Sequence, residues 1–207
     1  MGGGDFIQTL DLTDVYTGWT ETKAIKNKAQ VWVFEALQEI RKRLPFKLKG
    51  IDSDNGGEFI NSHLFRYCKE EEITFTRARP YRKNDSCFVG QKNWSIVRKT
   101  VGYNRYDTEA ELEALNELYR ELRLYTNFFQ PVMKLKEKKR RGSKVKKRYD
   151  KARTPCRRVL ESPQVSEREK ENLKEEYQKL NPAELNRKVE ELKKRLRKIN
   201  QMKGNQH

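Results

Sequence analysis

The sequence has few of the residues that build thiolate metal sites, disulfide frameworks or membrane spans. It contains three cysteines, Cys68, Cys87 and Cys156, with no Cys-x-x-Cys pair, and two histidines. An odd number of scattered cysteines without histidines at ligand spacing encodes neither a zinc site nor a disulfide framework. No apolar run approaches the ~20 residues that span a bilayer, and no hydrophobic leader follows Met1. We therefore expect a protein of the reducing cytoplasm without a membrane partner.

Hydrophobic residues are also scarce: they make up 35% of the 207 residues, while charged residues make up 37%. A core over the whole length is not expected, so part of the chain should be solvated, helical or extended. Basic residues outnumber acidic ones by 46 to 30, a net charge of +16. Because lysine and arginine release condensed counterions when they neutralise phosphates, this balance favours a polyanion as partner. A basic protein that is merely soluble is the alternative.

The apolar residues up to about Gln130 recur with the periods of a mixed α/β domain. Strands are predicted over 6–12 and 19–25, with turn chemistry from Asp14 and Gly18 between them. A third strand is predicted over 46–51. A helix is predicted over 28–44, with these residues inward: Val31, Phe34, Leu37, Ile40 and Leu44. A second helix is predicted over 58–71, with these residues inward: Phe59, Leu64, Phe65 and Cys68.

A carboxylate motif, Asp-Ser-Asp-Asn-Gly-Gly-Glu-Phe over residues 52–59, lies between the third strand and the second helix. The carboxyl end of a strand is where α/β sheets usually place their ligands, and the two glycines allow a sharp turn into the helix. Divalent cations such as Mg²⁺ prefer oxygen ligands. Asp54 is therefore a candidate metal ligand, and its alternative role is to cap the helix.

Two further motifs accompany this one in order along the chain. They read TLDLTDVYTGWTE over 9–21 and ITFTRARPYRKND over 73–85, the latter continued by CFVGQKNW over 87–94. Together the three motifs resemble the catalytic core of the DDE transposases and retroviral-type integrases, insertion-sequence transposases in particular, over residues 5–130. The resemblance implies a ribonuclease H-like mixed sheet whose Asp, Asp and Glu hold two Mg²⁺ or Mn²⁺ ions and support the cutting and joining of DNA ends.

The resemblance places the family's carboxylates unevenly on this chain. Asp54 corresponds to the middle catalytic and metal-binding carboxylate, whereas Gly90, flanked by Val89 and Gln91, stands at the position of the Glu. The first Asp would lie upstream of the strand over 6–12, so the resemblance implies an N-terminally truncated core whose sheet lacks its first strand. We expect DNA binding without strand transfer. An active metal-dependent transposase is the alternative.

Candidate DNA-binding residues fall in two groups. The first lies in and after the third motif: Arg79, Tyr81, Arg82, Lys83 and Lys92. The second lies in a run of fourteen basic residues between Lys134 and Arg158, interrupted by Glu137 and Asp150. Its candidates are Lys138, Lys139, Arg140, Arg141, Lys144, Lys146, Lys147 and Arg148.

The basic run has too few large apolar residues to build a core. It predicts an extended arm over 131–163 that follows phosphates and carries little base specificity; a solvated linker is the alternative. With DNA as the partner, the expected location is the bacterial-type cytoplasm, in association with the nucleoid.

The remaining residues, 164–207, predict a helical hairpin after the core domain of 1–130 and the arm. Ser166 and Asn181 have the pattern of helix N-caps. One helix carries an apolar stripe of Leu173, Tyr177 and Leu180. The other carries Leu185, Val189, Leu192, Leu196 and Ile199 at alternating spacings of four and three. Such a seam fits pairing within the chain and self-association equally well, so a homo-oligomer and a helical assembly module stay open.

The three tryptophans, Trp19, Trp32 and Trp94, occupy predicted strand or helix positions. Core packing is the expected role for such residues, in preference to base stacking.

Overall fold

The structure is a computed structural model that describes residues 6–53, 62–77 and 93–204. It has a mixed α/β fold. The first two strands, β1 (Gln8–Thr13) and β2 (Thr20–Ile25), form an antiparallel hairpin in which Leu10 lies opposite Lys23. Their alternation and the turn chemistry between them predicted this pair within two residues.

The turn between β1 and β2 depends on Asp14 and Gly18. The Asp14 carboxylate accepts hydrogen bonds from the Thr17 amide and hydroxyl at 2.6 and 2.5 Å, and the Gly18 amide donates to the Asp14 carbonyl. Gly18 has a φ of +80°, a conformation that is costly for residues with a Cβ. The predicted turn residues are therefore confirmed.

Helix α1 (Gln30–Arg43) packs against β2 with its apolar stripe. The buried residues are Val33, Ala36, Leu37 and Ile40. Leu37 and Ile40 were predicted correctly. Val31 was predicted inward and is 53% exposed, because a helix turns about 100° per residue and the stripe through Val33 and Leu37 leaves Val31 on the outer side.

Strand β3 (Gly50–Ser53), helix α2 (Ser62–Glu70) and strand β4 (Thr74–Arg77) follow. β3 begins later than predicted, since Phe46 and Leu48 pack against the core from irregular chain. In α2, Leu64 and Cys68 are buried as predicted, whereas Phe65 is 63% exposed and its predicted inward position is wrong. Phe59 lies outside the described residues.

The strand pairs remain separate within the described residues. β3 pairs with β4 in parallel, β1 pairs with β2, and no hydrogen-bonded ladder joins the two pairs in this part of the chain. Both pairs nevertheless contribute to one apolar cluster with α1 and α2, through Leu10 and Ile25 on one side and Ile51 and Phe75 on the other. The predicted single mixed sheet is thus represented here by two strand pairs around a shared core.

A π-helical turn (Asn93–Arg98) continues into α3 (Lys99–Val101), and α4 (Glu109–Phe129) follows. α4 begins with a capping box, in which the Thr108 hydroxyl accepts from the Glu111 amide and the Glu111 carboxylate accepts from the Thr108 amide. One face of α4, which includes Leu115, Leu118 and Tyr119, is fully buried. This helix is the centre of the second apolar cluster.

The basic segment is folded, unlike the extended arm that its composition predicted. Strands β5 (Leu135–Arg141) and β6 (Lys144–Tyr149) form an antiparallel hairpin. Helix α5 (Pro155–Leu160) follows, and its Cys156 and Val159 are buried with Trp19 and Phe128. The prediction for 131–163 is corrected in two ways: two strands pair with each other, and the last part of the segment belongs to the core because it contains enough apolar residues to pack.

Helices α6 (Glu167–Gln178) and α7 (Pro182–Gly204) begin at the predicted caps. Ser166 forms a capping box with Glu169, and the Asn181 carboxamide oxygen accepts from the Ala183 amide at 2.9 Å. None of the helices in the described ranges is long and apolar enough to cross a bilayer.

The apolar stripes of these two helices pack on the rest of the fold. Val189, Leu192 and Leu196 of α7 join the cluster around α4, and Leu173 of α6 joins the cluster around Trp19. The prediction of a separate helical hairpin is therefore corrected: the seam on α7 matches the apolar face of α4, which sequence periodicity alone does not identify as its partner.

Candidate nucleic-acid interface

The carboxylate motif begins at the carboxyl end of β3. β3 ends at Ser53, which is paired with Arg77 at the end of the parallel strand β4. Asp52 in β3 accepts a hydrogen bond from the Thr76 hydroxyl at 2.7 Å. Ser53 and Arg77 are thus the last residues of two neighbouring parallel strands and lie at the same edge of the pair.

Many of the predicted site residues lie outside the described residues. They are Asp54, Gly90, Arg79, Tyr81, Arg82, Lys83 and Lys92. Their expected roles in metal binding and DNA binding remain predictions.

The described residues do not assemble a site for the predicted Mg²⁺ or Mn²⁺. In the ranges that the structure describes, no group of three His, Cys, Asp or Glu side chains comes together. Asp52 is the described carboxylate nearest to Asp54 in the sequence, and one of its oxygens is already bonded to Thr76. Since such ions require several oxygen donors, the described residues alone do not fit them.

The other predicted DNA-binding residues do come together, on the β5–β6 hairpin. All eight, Lys138, Lys139, Arg140, Arg141, Lys144, Lys146, Lys147 and Arg148, are solvent-exposed. Arg141 pairs with Lys144 across a two-residue loop of Gly142 and Ser143, in which Gly142 has a φ of +59°. A glycine at such a φ allows the tight turn that a two-residue hairpin needs.

The root of the hairpin is held by a partly buried ion pair. The Arg158 guanidinium donates two hydrogen bonds to the Asp150 carboxylate, at 2.7 and 3.1 Å, and a third to the Val132 carbonyl at 2.9 Å. Both side chains of the pair are about nine-tenths buried. The Lys134 amide also donates to Asp150, at 2.7 Å.

This root has a clear electrostatic signature. The hydrogen bonds from Arg158, and then the one from Lys134, lower the pKa of Asp150 from 3.8 to about 2. The Asp150 carboxylate therefore stays ionised at all but strongly acid pH. Its hydrogen bonds to Arg158 and Lys134 then anchor the base of the β5–β6 hairpin to the rest of the protein.

Sequence reasoning missed a second cationic surface, on the π-helical turn and the residues after it. Trp94 was expected in the core but is 54% exposed. The Lys99 ammonium lies 4.4 Å from its ring centroid, and the Arg98 guanidinium lies 4.9 Å from that of Tyr103. The signal that could have found this surface is the absence of acidic residues from 86 to 106.

An open cleft of about 560 Å³ lies between α1, β2 and α4. Its lining includes four cations and four acids, among them the ion pair of Lys23 with Glu39 at 2.6 Å. With balanced charge it offers phosphates much less attraction than the hairpin does.

No protein-family model matches the chain. A curated relative, the uncharacterized protein y4rM of Sinorhizobium fredii (strain NBRC 101917 / NGR234), is 45% identical over 146 residues, which make up 70% of this chain and 42% of the relative. The chain thus corresponds to less than half the length of this relative.

The chain is also similar to solved structures of retroviral proteins. The HTLV-2 integrase catalytic core domain in complex with magnesium is 13% identical, with a TM-score of 0.44 over 61% of this chain and 86% of that domain. The BIV integrase catalytic core domain is 15% identical, with a TM-score of 0.41 over 60% of this chain and 84% of that domain. Both TM-scores lie below 0.5.

Proposed function

We propose that this chain is a DNA-binding protein of the transposase and integrase type that has lost strand-transfer activity. Three ordered motifs, over 9–21, 52–59 and 73–94, support the family assignment. The exposed cations of the β5–β6 hairpin support DNA as the partner, because phosphate neutralisation by lysine and arginine provides most of the affinity of such interfaces.

The arrangement of β3 and β4 is the observation that carries this proposal. The two strands are parallel neighbours, and their last residues, Ser53 and Arg77, are paired. The second motif continues past Ser53 and the third continues past Arg77. In α/β proteins, ligands bind in the crevice at the carboxyl ends of such strands, so motifs that leave this edge are suited to a shared site.

Loss of activity is proposed because Gly90 occupies the position of the family's Glu. Glycine supplies no side-chain oxygen, whereas paired metal ions in phosphoryl transfer need several carboxylate ligands. With a glycine at residue 90, the ligand set for two ions lacks one carboxylate. The role left to the chain is binding of DNA in the bacterial-type cytoplasm.

Cleavage and binding assays on the same labelled DNA test this function. We expect salt-sensitive binding by the natural chain, no cutting with Mg²⁺ or Mn²⁺, and unchanged binding for Asp54→Asn. Metal-dependent cutting that Asp54→Asn abolishes would show an active transposase and contradict the proposed loss.

Position 90 is tested by metal binding. Calorimetric titration with Mn²⁺ is expected to show at least about tenfold tighter binding for Gly90→Glu than for the natural chain, since the carboxylate that the family's Glu supplies is restored. Gly90→Gln, similar in size and uncharged, is the matched control and should not bind more tightly. Equal Mn²⁺ affinity in all three proteins would show that residue 90 does not stand at a ligand position.

A further inference from the structure

The β5–β6 hairpin is cationic on both of its faces. Residues paired across an antiparallel ribbon share a face, and alternate residues along each strand lie on opposite faces. The register therefore assigns three cations to the first face: Lys138, Arg140 and Lys147. It assigns five to the second face: Lys139, Arg141, Lys144, Lys146 and Arg148.

A hairpin can bind DNA either by lying flat on the phosphate backbone or by entering a groove, and the distribution of its cations distinguishes these two geometries. A ribbon that lies flat on a phosphate backbone places one face against the phosphates and the other in solvent. A ribbon inside a groove has a phosphate strand on each side. Charge on both faces fits the second geometry.

We propose that the β5–β6 hairpin enters the major groove of double-stranded DNA, with phosphates of the two strands on its two faces. This inference rests on the proposed DNA-binding function and specifies the form of DNA and the mode of contact. The major groove of B-form DNA is about 12 Å wide and admits a two-stranded ribbon. The seven residues of β5 extend roughly 23 Å, which is about two thirds of a helical turn of DNA.

Two other nucleic acids fit the hairpin less well. The major groove of A-form RNA is deep and too narrow for side chains to read. Proteins that bind single strands combine a cationic groove with aromatic stacking platforms, whereas Tyr149, at the root, is the aromatic residue of the hairpin. Of the three nucleic acids, duplex DNA therefore fits the hairpin best.

The internal energetics of the ribbon support a charged partner. Like charges face each other directly in the pairs Lys138 with Lys147 and Lys139 with Lys146, an arrangement that destabilises a hairpin. Among the described residues, the ion pair recorded within the ribbon is that of Lys139 with Glu137 at 2.9 Å. Phosphates between and beside these cations relieve the repulsion, so DNA binding stabilises the hairpin.

The root of the hairpin fixes its direction. Asp150 and Arg158 hold the ends of β5 and β6 against α5 and the Val132 carbonyl. Because the strands start from a fixed point, less orientational freedom is lost when the ribbon enters a groove. Asp150 and Arg158 are positioning residues in this scheme.

Two triple variants of the full chain test entry into the groove. The first-face variant is Lys138→Gln, Arg140→Gln and Lys147→Gln; the second-face variant is Arg141→Gln, Lys144→Gln and Lys146→Gln. The matched control removes three exposed cations, one at the C-cap of α6 and two on α7: Lys179→Gln, Lys194→Gln and Lys198→Gln. Binding is measured by fluorescence anisotropy with a 20-base-pair DNA duplex, one of its single strands and the equivalent RNA duplex, over a range of salt.

Both face variants are expected to bind the DNA duplex at least about tenfold more weakly, with a salt slope reduced by about 2.7 for three lost phosphate contacts. The control should change affinity by less than about twofold. The natural chain should prefer the DNA duplex to the single strand and to the RNA duplex. Unchanged unfolding midpoints identify the losses as effects on binding.

Other outcomes would distinguish failure of the major-groove geometry from failure of DNA binding itself. A loss confined to one face would replace groove entry with flat contact, and equal binding to the RNA duplex would overturn the major groove as the site. If neither face variant weakened binding while the natural chain still bound the duplex, the hairpin would not be the contact, although DNA binding would stand. If the natural chain bound no nucleic acid, both proposals would fall.

Discussion

Helix α7 and the β5–β6 hairpin contain similar numbers of basic residues but differ in how they pack on the fold. α7 contains eight basic residues and the hairpin nine. α7 nevertheless buries Val189, Leu192 and Leu196 against α4, whereas Val145 of the hairpin is 44% exposed. A few apolar residues at helical spacing thus dock a basic segment on the core, and a basic segment without them stays on the surface.

The cations of the two segments also differ in their partners. On α7, Lys188 pairs with Glu121 at 2.7 Å and Arg195 with Glu117 at 2.6 Å, both acids lying on α4. In the hairpin, most cations face other cations. Exposed ion pairs add little stability, but they do leave the α7 cations less available to phosphates than those of the hairpin.

The largest contrast is expected between two glutamates, Glu21 in the core and Glu137 in the hairpin. Glu21 is fully buried and pairs with Arg123 at 2.6 Å and Arg43 at 3.4 Å. Glu21→Ala removes the fully buried charge partner of two partly buried arginines and should reduce the free energy of unfolding by ~3–5 kcal/mol. Glu137→Ala, at an exposed pair, should change it by less than ~0.5 kcal/mol. Urea unfolding measures both, and equal losses would contradict the contrast.

The docking of α7 predicts the next largest effect. Leu196 is 2% exposed in the cluster around α4. Leu196→Ala should cost ~2–5 kcal/mol of unfolding free energy, because it removes buried methyl groups and leaves a cavity. Met202→Ala, at a residue 58% exposed on the same helix, should cost less than ~0.5 kcal/mol. A Leu196→Ala protein as stable as the Met202→Ala control would show that α7 is not docked on α4.

The hairpin root predicts an effect of pH. Hydrogen bonds from Arg158 hold the pKa of Asp150 at about 2, below its ordinary value of 3.8. A lowered pKa in the folded state means that the ion pair stabilises the protein above the ordinary value and that this contribution disappears as pH falls towards 2. The natural chain should therefore exceed Asp150→Asn in urea midpoint at neutral pH, and the gap should close between about pH 4 and pH 2. A gap that stayed constant with pH would exclude this role for Asp150.

The smallest effect is expected at the hairpin loop. Gly142 has a φ of +59°, and a Cβ added there would meet no neighbouring atom within 4 Å. The cost of Gly142→Ala is therefore that of the backbone conformation alone, about 1 kcal/mol. It should appear as faster hydrogen exchange of β5 and β6 amides with an unchanged global unfolding midpoint. Ser143→Ala is the control, and equal exchange in both variants would count against the turn.

Local patterns predicted the local elements well. The alternation in 6–25, the Asp14 turn and the caps at Ser166 and Asn181 all depend on residues near one another in the sequence, and the structure places them as expected. The partner of each apolar stripe depends on residues far away. The match of α7 to α4 and the burial of Val159 beside Trp19 could not be derived from periodicity.

The hairpin shows a different limit. Its strands lack the apolar alternation that marks a half-buried strand, so the local signal was confined to Gly142 and Ser143 between two basic runs. Composition still identified its cations as candidate DNA contacts. The prediction for Trp94 was wrong for the opposite reason. Tryptophan is usually a core residue, but here the ring lies at the surface and the Lys99 ammonium stacks on it.

The packing of α7 on α4 also sets the order in which the chain can mature during synthesis. Leu118 and Leu196 belong to one cluster, yet they lie about 80 residues apart, which corresponds to roughly 4–16 s of translation. Until α7 has left the ribosome, it cannot pack against Leu115, Leu118 and Leu122 of α4. The nascent protein therefore exposes an adhesive apolar surface for seconds, and we expect it to depend on chaperones during that interval.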